Sequence, residues 1–340
     1  PMDKLVIEGG KPLNGTIKVS GAKNAALPIL IATLLTDEPC VIENVPSTLR
    51  DLRTTFRLLE SLGKKVVVEG STVRVLSTGS LKTQAPYEIV KQMRASVLAA
   101  GPLLARFGLV RVPIPGGCAI GLRPIDIHLK GFEAMGARRI ADQGDIIMSA
   151  PKLNAVTIKL RFPSVGATQN LMMAAAATIG KTTIKNAARE PEMKDLGLFL
   201  QRLGAKVVGA GTATVSIVGK AKLQGARHKV IPDRIEAGTF LLACAAARGR
   251  VKLIGADASH LTAVLSALRR AGAKIKSGGS WIEISMGRRR GGRRSDLRSA
   301  APRGALSGYV AQGQQRPPPR RAALGRGGLR RDRFRRPPVR

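Results

Sequence analysis

Phe199-Leu-Gln-Arg-Leu-Gly-Ala-Lys-Val207 decides how this chain is read, because the same phrase occurs three more times. The other copies are Leu58-Leu-Glu-Ser-Leu-Gly-Lys-Lys-Val66, Phe132-Glu-Ala-Met-Gly-Ala-Arg-Arg-Ile140 and Leu268-Arg-Arg-Ala-Gly-Ala-Lys-Ile275. Each reads as a helical run closed by glycine and followed by a strand. The glycines stand at 63, 136, 204 and 272, separations of 73, 68 and 68 residues. A fixed period of this size is the mark of a repeated supersecondary unit. Glycine at the helix end fits a left-handed C′ position, where a Cβ would cost about 1 kcal/mol.

A second phrase keeps the same register. Alanine-rich segments at Asn24 to Leu35, Arg94 to Ala105, Thr168 to Thr178 and Glu236 to Ala247 favour helix, and they carry so little polar surface that burial on nearly all sides is expected. Each precedes a β-branched run such as Lys181 to Lys185 or Arg250 to Ile254. The unit therefore reads strand, buried helix, strand, amphipathic helix and hairpin, the hairpin typified by Lys65 to Val75. A unit of about 70 residues supplies only roughly 3–5 kcal/mol from a core of its own. Such units must stack, which predicts an α/β repeat architecture of βαβαββ units with helices inside and sheets outside.

Composition bounds the rest. The chain of 340 residues is 44% hydrophobic, enough for sizeable cores in two domains. Pro1 to Lys4 run straight into Leu5-Val-Ile7 without a signal-peptide pattern, and no apolar run reaches the roughly 18 residues of a membrane span. Three dispersed cysteines suggest neither a disulfide framework nor a metal site, so a reducing, cytoplasmic location is the default. Cys40 and Cys244 lie in apolar runs and read as core residues.

The net charge of +35 is unevenly spread. Residues 288–340 hold 17 arginines and only Asp296 and Asp332 as acids, with no lysine and no isoleucine. This tail shows neither helical nor strand periodicity and reads as disordered. A shift of reading frame in GC-rich coding DNA is the favoured origin. The alternative is an RNA- or anion-binding arm, since Arg/Gly/Pro segments do bind nucleic acid.

Chemistry is expected in the stretch from Pro113 to His128, a Pro/Gly-rich surface loop that sets Cys118 behind a Gly-Gly turn, followed by Arg123, Asp126 and His128. Together with Ser20-Gly-Ala-Lys-Asn-Ala-Ala-Leu-Pro28, Met93-Arg-Ala-Ser96, Ser164-Val-Gly-Ala-Thr168, Asn186-Ala-Ala-Arg-Glu-Pro-Glu192 and Pro232-Asp-Arg-Ile-Glu236, this loop resembles the UDP-N-acetylglucosamine enolpyruvyl transferase family. The resemblance covers residue 2 to about residue 286. It implies an inside-out α/β barrel fold of two domains with three units each. On that reading residues 21–231 form a complete domain, residues 1–20 with 232–287 form an incomplete second domain, and 288–340 stand apart.

The resemblance also implies a reaction. The 3-hydroxyl of UDP-N-acetylglucosamine adds to C2 of phosphoenolpyruvate, C3 is protonated, and phosphate leaves, the first committed step of bacterial peptidoglycan synthesis. Cell shape and division depend on that step, which needs no metal and no organic cofactor. Lys23, Arg94 and Arg123 match the family's phosphoenolpyruvate ligands, and fixed cations suit a phosphate and a carboxylate. Asn24 matches a contact to the sugar, with Arg94 shared. Cys118 matches the cysteine that fosfomycin alkylates and that protonates the vinyl carbon. Asp126, Ile127 and His128 match loop positions at the uridine end, and Ser164, Val165 and Gly166 match the turn that binds the diphosphate. Asp233, Arg234 and Glu236 match supporting positions.

Two departures matter. Phe162-Pro163 stands where some members carry a lysine before the serine. The Phe-Pro-Thr-Asp-Met-Gln motif that bears the family's general base does not occur after Met286. Loss of a positioned base costs on the order of 10²–10⁴ in rate, so little turnover is expected from these residues alone. The sister enzyme that acts on shikimate 3-phosphate shares the fold, but the Gly-Gly-Cys loop and Asp126-Ile-His128 favour the nucleotide sugar.

Overall fold

A computed structural model describes residues 6, 8–91, 93–113, 125–140 and 145–287, with the backbone alone for Arg94. Four repeats follow one another. After β1 (Asn14–Lys18), the first unit holds α1 (Lys23–Ala32), β2 (Cys40–Glu43), α2 (Arg50–Ser61), β3 (Lys64–Glu69) and β4 (Thr72–Ser77). The second holds α3 (Tyr87–Val90), a 3-10 segment Arg94–Ala99 leading into α4 (Ala100–Phe107), β5 (Leu109–Pro113), α5 (Asp126–Ala134), β6 (Arg138–Ile140) and β7 (Asp145–Ser149). The third holds β8 (Thr157–Lys159), α6 (Val165–Ala176), β9 (Gly180–Lys185), α7 (Pro191–Arg202), β10 (Lys206–Val208) and β11 (Thr214–Gly219). The fourth holds β12 (Arg227–Lys229), α8 (Arg234–Ala247), β13 (Arg250–Ile254), α9 (Thr262–Arg270), β14 (Lys274–Gly278) and β15 (Trp281–Ser285). The repeating glycines adopt the left-handed backbone that the phrase requires, with φ of 103°, 94°, 108° and 94° at Gly63, Gly136, Gly204 and Gly272.

Each unit has its own sheet, but two lead strands are exchanged. β12, which precedes the fourth unit's helix, lies parallel to β2 in the first unit's sheet, ordered β12-β2-β4-β3. β1 lies parallel to β13 in the fourth unit's sheet, ordered β1-β13-β15-β14. The third unit's sheet runs β10-β11-β9-β8 and the second's β5-β7-β6. Burial alternates along the strands: Val73 and Val75 are inside while Arg74 faces solvent. This is the pattern of a sheet with one face on a core.

Helices make up the interior of the first three units. α1 is buried from Ala25 to Ala32 and α6 from Ala167 to Ala176. These two helices and the segment Arg94–Phe107 pack on one another, and a single apolar cluster runs from Ala22 to Val230. α8 departs from the expectation of burial on all sides. Only Ala237, Gly238, Leu241 and Cys244 are buried, because α8 packs on its own unit's strands and α9 and no sibling helix covers its other face among the described residues.

The expected loop from Pro113 to His128 is shorter than read. Pro113 closes β5, at the end of an edge strand where a missing N–H breaks no ladder. Asp126, Ile127 and His128 form the first turn of α5, and an aspartate there complements the helix dipole. Cys118 and Arg123 lie outside the described residues, as does the tail from 288.

Candidate functional site

The two chain crossings between the exchanged strands bring the starts of α1 and α8 together. Gly21 bridges Pro232, the Ala22 amide donates to the Ile231 carbonyl at 2.8 Å, and the Asp233 amide donates to the Ser20 carbonyl at 2.9 Å. Gly21 admits no side chain: a Cβ there would stand 1.6 Å from the Asn44 carbonyl oxygen. Asp233 caps α8 by accepting from the Ile235 and Glu236 amides at 2.8 and 3.0 Å through Oδ1. Its Oδ2 accepts from the Lys23 amide at 3.2 Å. α1 begins after Ala22, which has no capping side chain, so a residue 210 positions away supplies the acceptor. Glu236 reaches back as well, accepting from the Ser20 amide at 2.8 Å and from its hydroxyl.

Lys23 and Asn24 thus occupy the first turn of a buried helix, at the end where cations and donors face solvent. Lys23 Nζ is 2.9 Å from Asp51 Oδ2 at the start of α2, with both side chains between one third and two fifths exposed. An ion pair this exposed is worth at most about 1 kcal/mol, so the ammonium is readily redirected to an incoming anion. Asn24 is exposed, and Pro28 offers no N–H to its carbonyl. The 3-10 segment before α4 opens at Arg94, the position predicted for a shared phosphoenolpyruvate and sugar contact.

The start of α6 is a second candidate surface. Ser164 is its N-cap, with Oγ accepting from the Ala167 amide at 3.3 Å and the carbonyl accepting from the Thr168 amide at 2.9 Å. Val165 and Gly166 form the first turn, whose amides have no partner within the helix and whose dipole favours an anion. Gly166 packs closely on His128: a Cβ there would come within 3.2 Å of the ring, so a side chain would have to push the imidazole aside.

His128 is an interior residue of this surface. Asn170 Oδ1 accepts from the Gly101 amide at 2.7 Å and Nδ2 donates to the Val97 carbonyl at 2.9 Å, which fixes the orientation of the amide. The same Nδ2 group lies 3.0 Å from His128 Nδ1, so that ring nitrogen accepts and the neutral ring carries its proton on Nε2. Ile127 is also buried, whereas Asp126 faces outward and pairs with Arg161 Nη2 at 3.1 Å. The guanidinium of Arg161 lies 5.4 Å from the centre of the Phe162 ring.

A carboxylate cluster joins these surfaces. Thr168 Oγ1 accepts from the Ala188 amide at 3.1 Å, and two residues on, Glu190 N-caps α7. Glu192 Oε1 accepts from Arg234 Nε at 3.0 Å, next to the Asp233 that holds Lys23. Glu190 Oε2 and Glu192 Oε2 are buried without a hydrogen-bond partner among the described residues. Burial pushes the Glu190 carboxyl above its ordinary range, Glu192 adds to the rise, and Arg234 opposes it. The starts of α6, α7, α8 and α1 are therefore linked side by side.

Asp51, Arg161, Asn170 and the buried character of Glu190 and Glu192 were not predicted from the sequence. Asn170 alone had a signal, since Thr168-Gln-Asn170 interrupts an otherwise apolar interior helix. The described residues hold no group of three His, Cys, Asp or Glu able to bind a metal, and no helix long and apolar enough to cross a membrane.

Comparison with known proteins gives this arrangement its lineage. The profile of EPSP synthase (3-phosphoshikimate 1-carboxyvinyltransferase) matches residues 7–303. The UDP-N-acetylglucosamine 1-carboxyvinyltransferase of Shewanella amazonensis is 51% identical over 286 residues, 84% of this chain and 68% of that protein. The same enzyme of Endomicrobium trichonymphae is 52% identical over 277 residues, 81% of this chain and 66% of that protein. The chain thus spans about two thirds of the length of the curated relatives it matches. The enolpyruvyl transferase NikO from Streptomyces tendae superposes with a TM-score of 0.71 at 22% identity, over 82% of this chain and 67% of its own. EPSP synthase from Acinetobacter baumannii gives 0.63 at 20%, over 82% and 65%, and at these identities both show the fold alone. By half-identity over most of its length, and by a fold that enolpyruvyl transferases share, this chain belongs to the UDP-N-acetylglucosamine 1-carboxyvinyltransferase family of transferases.

Proposed function

We propose that this chain acts in the transfer of the enolpyruvyl group from phosphoenolpyruvate to the 3-hydroxyl of UDP-N-acetylglucosamine, with release of phosphate. The observation that carries the reading is the start of α1, where Lys23 and Asn24 stand at the solvent end of a buried helix with the Lys23 ammonium paired to the partly exposed Asp51. In this reading Lys23, Arg94 and Arg123 neutralise phosphoenolpyruvate, Asn24 and Arg94 meet the sugar, and Cys118 delivers the proton to C3. The amides of Val165 and Gly166 receive the diphosphate beside Ser164. Asp126 presents its carboxylate to the uridine end, whereas Ile127 and His128, being buried, contribute from the backbone.

The chemistry follows from charge. Phosphoenolpyruvate brings a phosphate and a carboxylate to one spot, and as C3 takes a proton and the hydroxyl oxygen adds at C2, the carboxylate and the leaving phosphate are stabilised by fixed cations and helix amides. The base for the 3-hydroxyl has no candidate among residues 6–287 in this reading and is placed in the third of the relatives' length that this chain does not match. Residues 21–231 are taken as one domain, in keeping with the apolar cluster from Ala22 to Val230, and residues 1–20 with 232–287 as part of a second.

The same reading gives a cytoplasmic enzyme of cell-wall synthesis, reactive with fosfomycin at Cys118, free of membrane partners, and touching nucleic acid only non-specifically through the arginine tail. A phosphate-release assay with phosphoenolpyruvate tests it, and without the base the expected rate is on the order of 10²–10⁴ below that of a complete site. Release that depends on UDP-N-acetylglucosamine supports the proposal, and release that depends on shikimate 3-phosphate instead refutes it.

A further inference from the structure

Asn170 lies fully buried in the second turn of α6 and ties that helix to two other elements. Its two amide hydrogens meet two acceptors, the Val97 carbonyl at 2.9 Å and His128 Nδ1 at 3.0 Å, and its oxygen accepts from the Gly101 amide at 2.7 Å. A peptide N–H can only donate and a carbonyl can only accept, so the two ends of the Asn170 amide cannot be exchanged. Val97 belongs to the segment that Arg94 opens, and Gly101 to α4, into which that segment leads. His128 belongs to the first turn of α5, two residues after Asp126. Asn170 itself stands about one and a half turns beyond Val165. Three of the surfaces assigned to substrate are therefore joined through one side chain.

The same contact sets a polarity. Because Nδ1 accepts, the neutral imidazole of His128 carries its hydrogen on Nε2. The Cε1–Nε2 edge is the one turned to the start of α6, where a Cβ built on Gly166 would stand 3.2 Å from Cε1 and 3.3 Å from Nε2. Both atoms of that edge bear hydrogen, so the ring offers its positive side to the turn whose amides favour an anion. The other tautomer would place the Nε2 lone pair there, and an anion at the turn would be repelled. A buried group that fixes the tautomer and orientation of a neighbouring histidine is a known means of tuning a binding site from behind.

We propose that Asn170 is a positioning residue for the nucleotide sugar. It holds the His128 ring in the Nε2–H form against Gly166, so that the Val165 and Gly166 amides keep their place relative to α5 and meet the diphosphate within a surface of donors. The inference rests on the reading of the α6 start as the diphosphate site, and Asn170 makes no contact with substrate in it.

The test joins nitrogen NMR of the His128 imidazole in the full chain with calorimetric titration by UDP-N-acetylglucosamine and by UDP. In Asn170→Ser the vacated space admits a water that serves Gly101 and Val97, so the chain still folds, but nothing directs the ring. Leu62→Ala, a buried position at the opposite end of α2 from Asp51, is a core lesion that leaves Asn170 untouched and controls for lost stability. In the unaltered chain the expected His128 signals are those of one tautomer, protonated on Nε2. In Asn170→Ser the two ring signals converge as the tautomers exchange, and both ligands bind about three- to tenfold more weakly, the worth of one hydrogen bond. Leu62→Ala lowers the melting temperature and changes neither readout. The proposal is overturned, with the reading of the α6 start intact, if the unaltered chain binds UDP-N-acetylglucosamine and Asn170→Ser binds it as tightly, or if Leu62→Ala weakens binding as much. It is equally overturned if His128 in the unaltered chain carries its hydrogen on Nδ1, a measurement that needs no variant. If the unaltered chain binds neither ligand, the reading of the α6 start falls and the proposal falls with it.

Discussion

The carboxylate of Asp233 accepts the backbone amide of Lys23 at 3.2 Å, so the start of one interior helix is capped by the residue that starts another. Through its second oxygen Asp233 also accepts the Ile235 and Glu236 amides, at 2.8 and 3.0 Å. Asp233→Ala strands all three donors. The expected loss is about 2 kcal/mol, the upper end for an N-cap, and Asp233→Asn, whose single acceptor oxygen can serve the Ile235 and Glu236 amides but not the Lys23 amide as well, should recover only the α8 part. Denaturant titration of the two variants checks this. A loss in Asp233→Ala below a few tenths of a kcal/mol would mean that solvent replaces the carboxylate at both helices.

Asn170 is expected to be the costliest polar residue to remove. Its amide satisfies the Gly101 N–H and the Val97 carbonyl and supplies the donor to His128 Nδ1, all of them buried. Replacement by leucine keeps the volume but removes the acceptor of the buried Gly101 amide and one hydrogen bond each at the Val97 carbonyl and the His128 ring, a cost of about 3 kcal/mol. The same substitution removes the Asn170 bond that helps to hold the His128 ring against Gly166, so the start of α6 should loosen. Thermal unfolding reads the first effect and hydrogen exchange over residues 165–170 the second.

Glu190 gives the chain an unusual pH dependence. Burial raises its folded-state pKa above the ordinary 4.5, with Glu192 adding to the rise, so the neutral form is the one that folding favours. Its contribution is greatest below 4.5, where both states are protonated, and declines as pH rises through the folded value. Glu190→Gln removes that decline. Denaturation midpoints measured from pH about 4 to about 8 should show the variant less pH-dependent and no less stable at the upper end, and a variant less stable at neutral pH would contradict the assignment.

Much of this was open to reading in the sequence, for identifiable reasons. Gly63, Gly136, Gly204 and Gly272 declared the units because only glycine suits a helix end with φ near 100°. The alanine-rich runs declared the interior helices because a helix without a polar face has nowhere to go but inside. Strand exchange carries no such signal. Arg227-His-Lys229 is three residues long, too short for a period, and its parallel partner Val41-Ile-Glu43 is 186 positions away. The pairing of Lys23 with Asp51 and the cap from Asp233 are likewise products of tertiary placement. The α5 start at Asp126 was hidden by the Pro/Gly-rich stretch before it, which drew the loop too far.

The most direct test of the proposed function is calorimetric titration of the 340-residue chain with UDP-N-acetylglucosamine, because every residue assigned to that ligand lies between Asn24 and Gly166. The account predicts saturable one-to-one binding that weakens at least about tenfold in Lys23→Ala when phosphoenolpyruvate is present, the loss of one charge-assisted contact, and no comparable heat with shikimate 3-phosphate. Absence of binding by UDP-N-acetylglucosamine in a folded sample, or tighter binding of shikimate 3-phosphate, would contradict it.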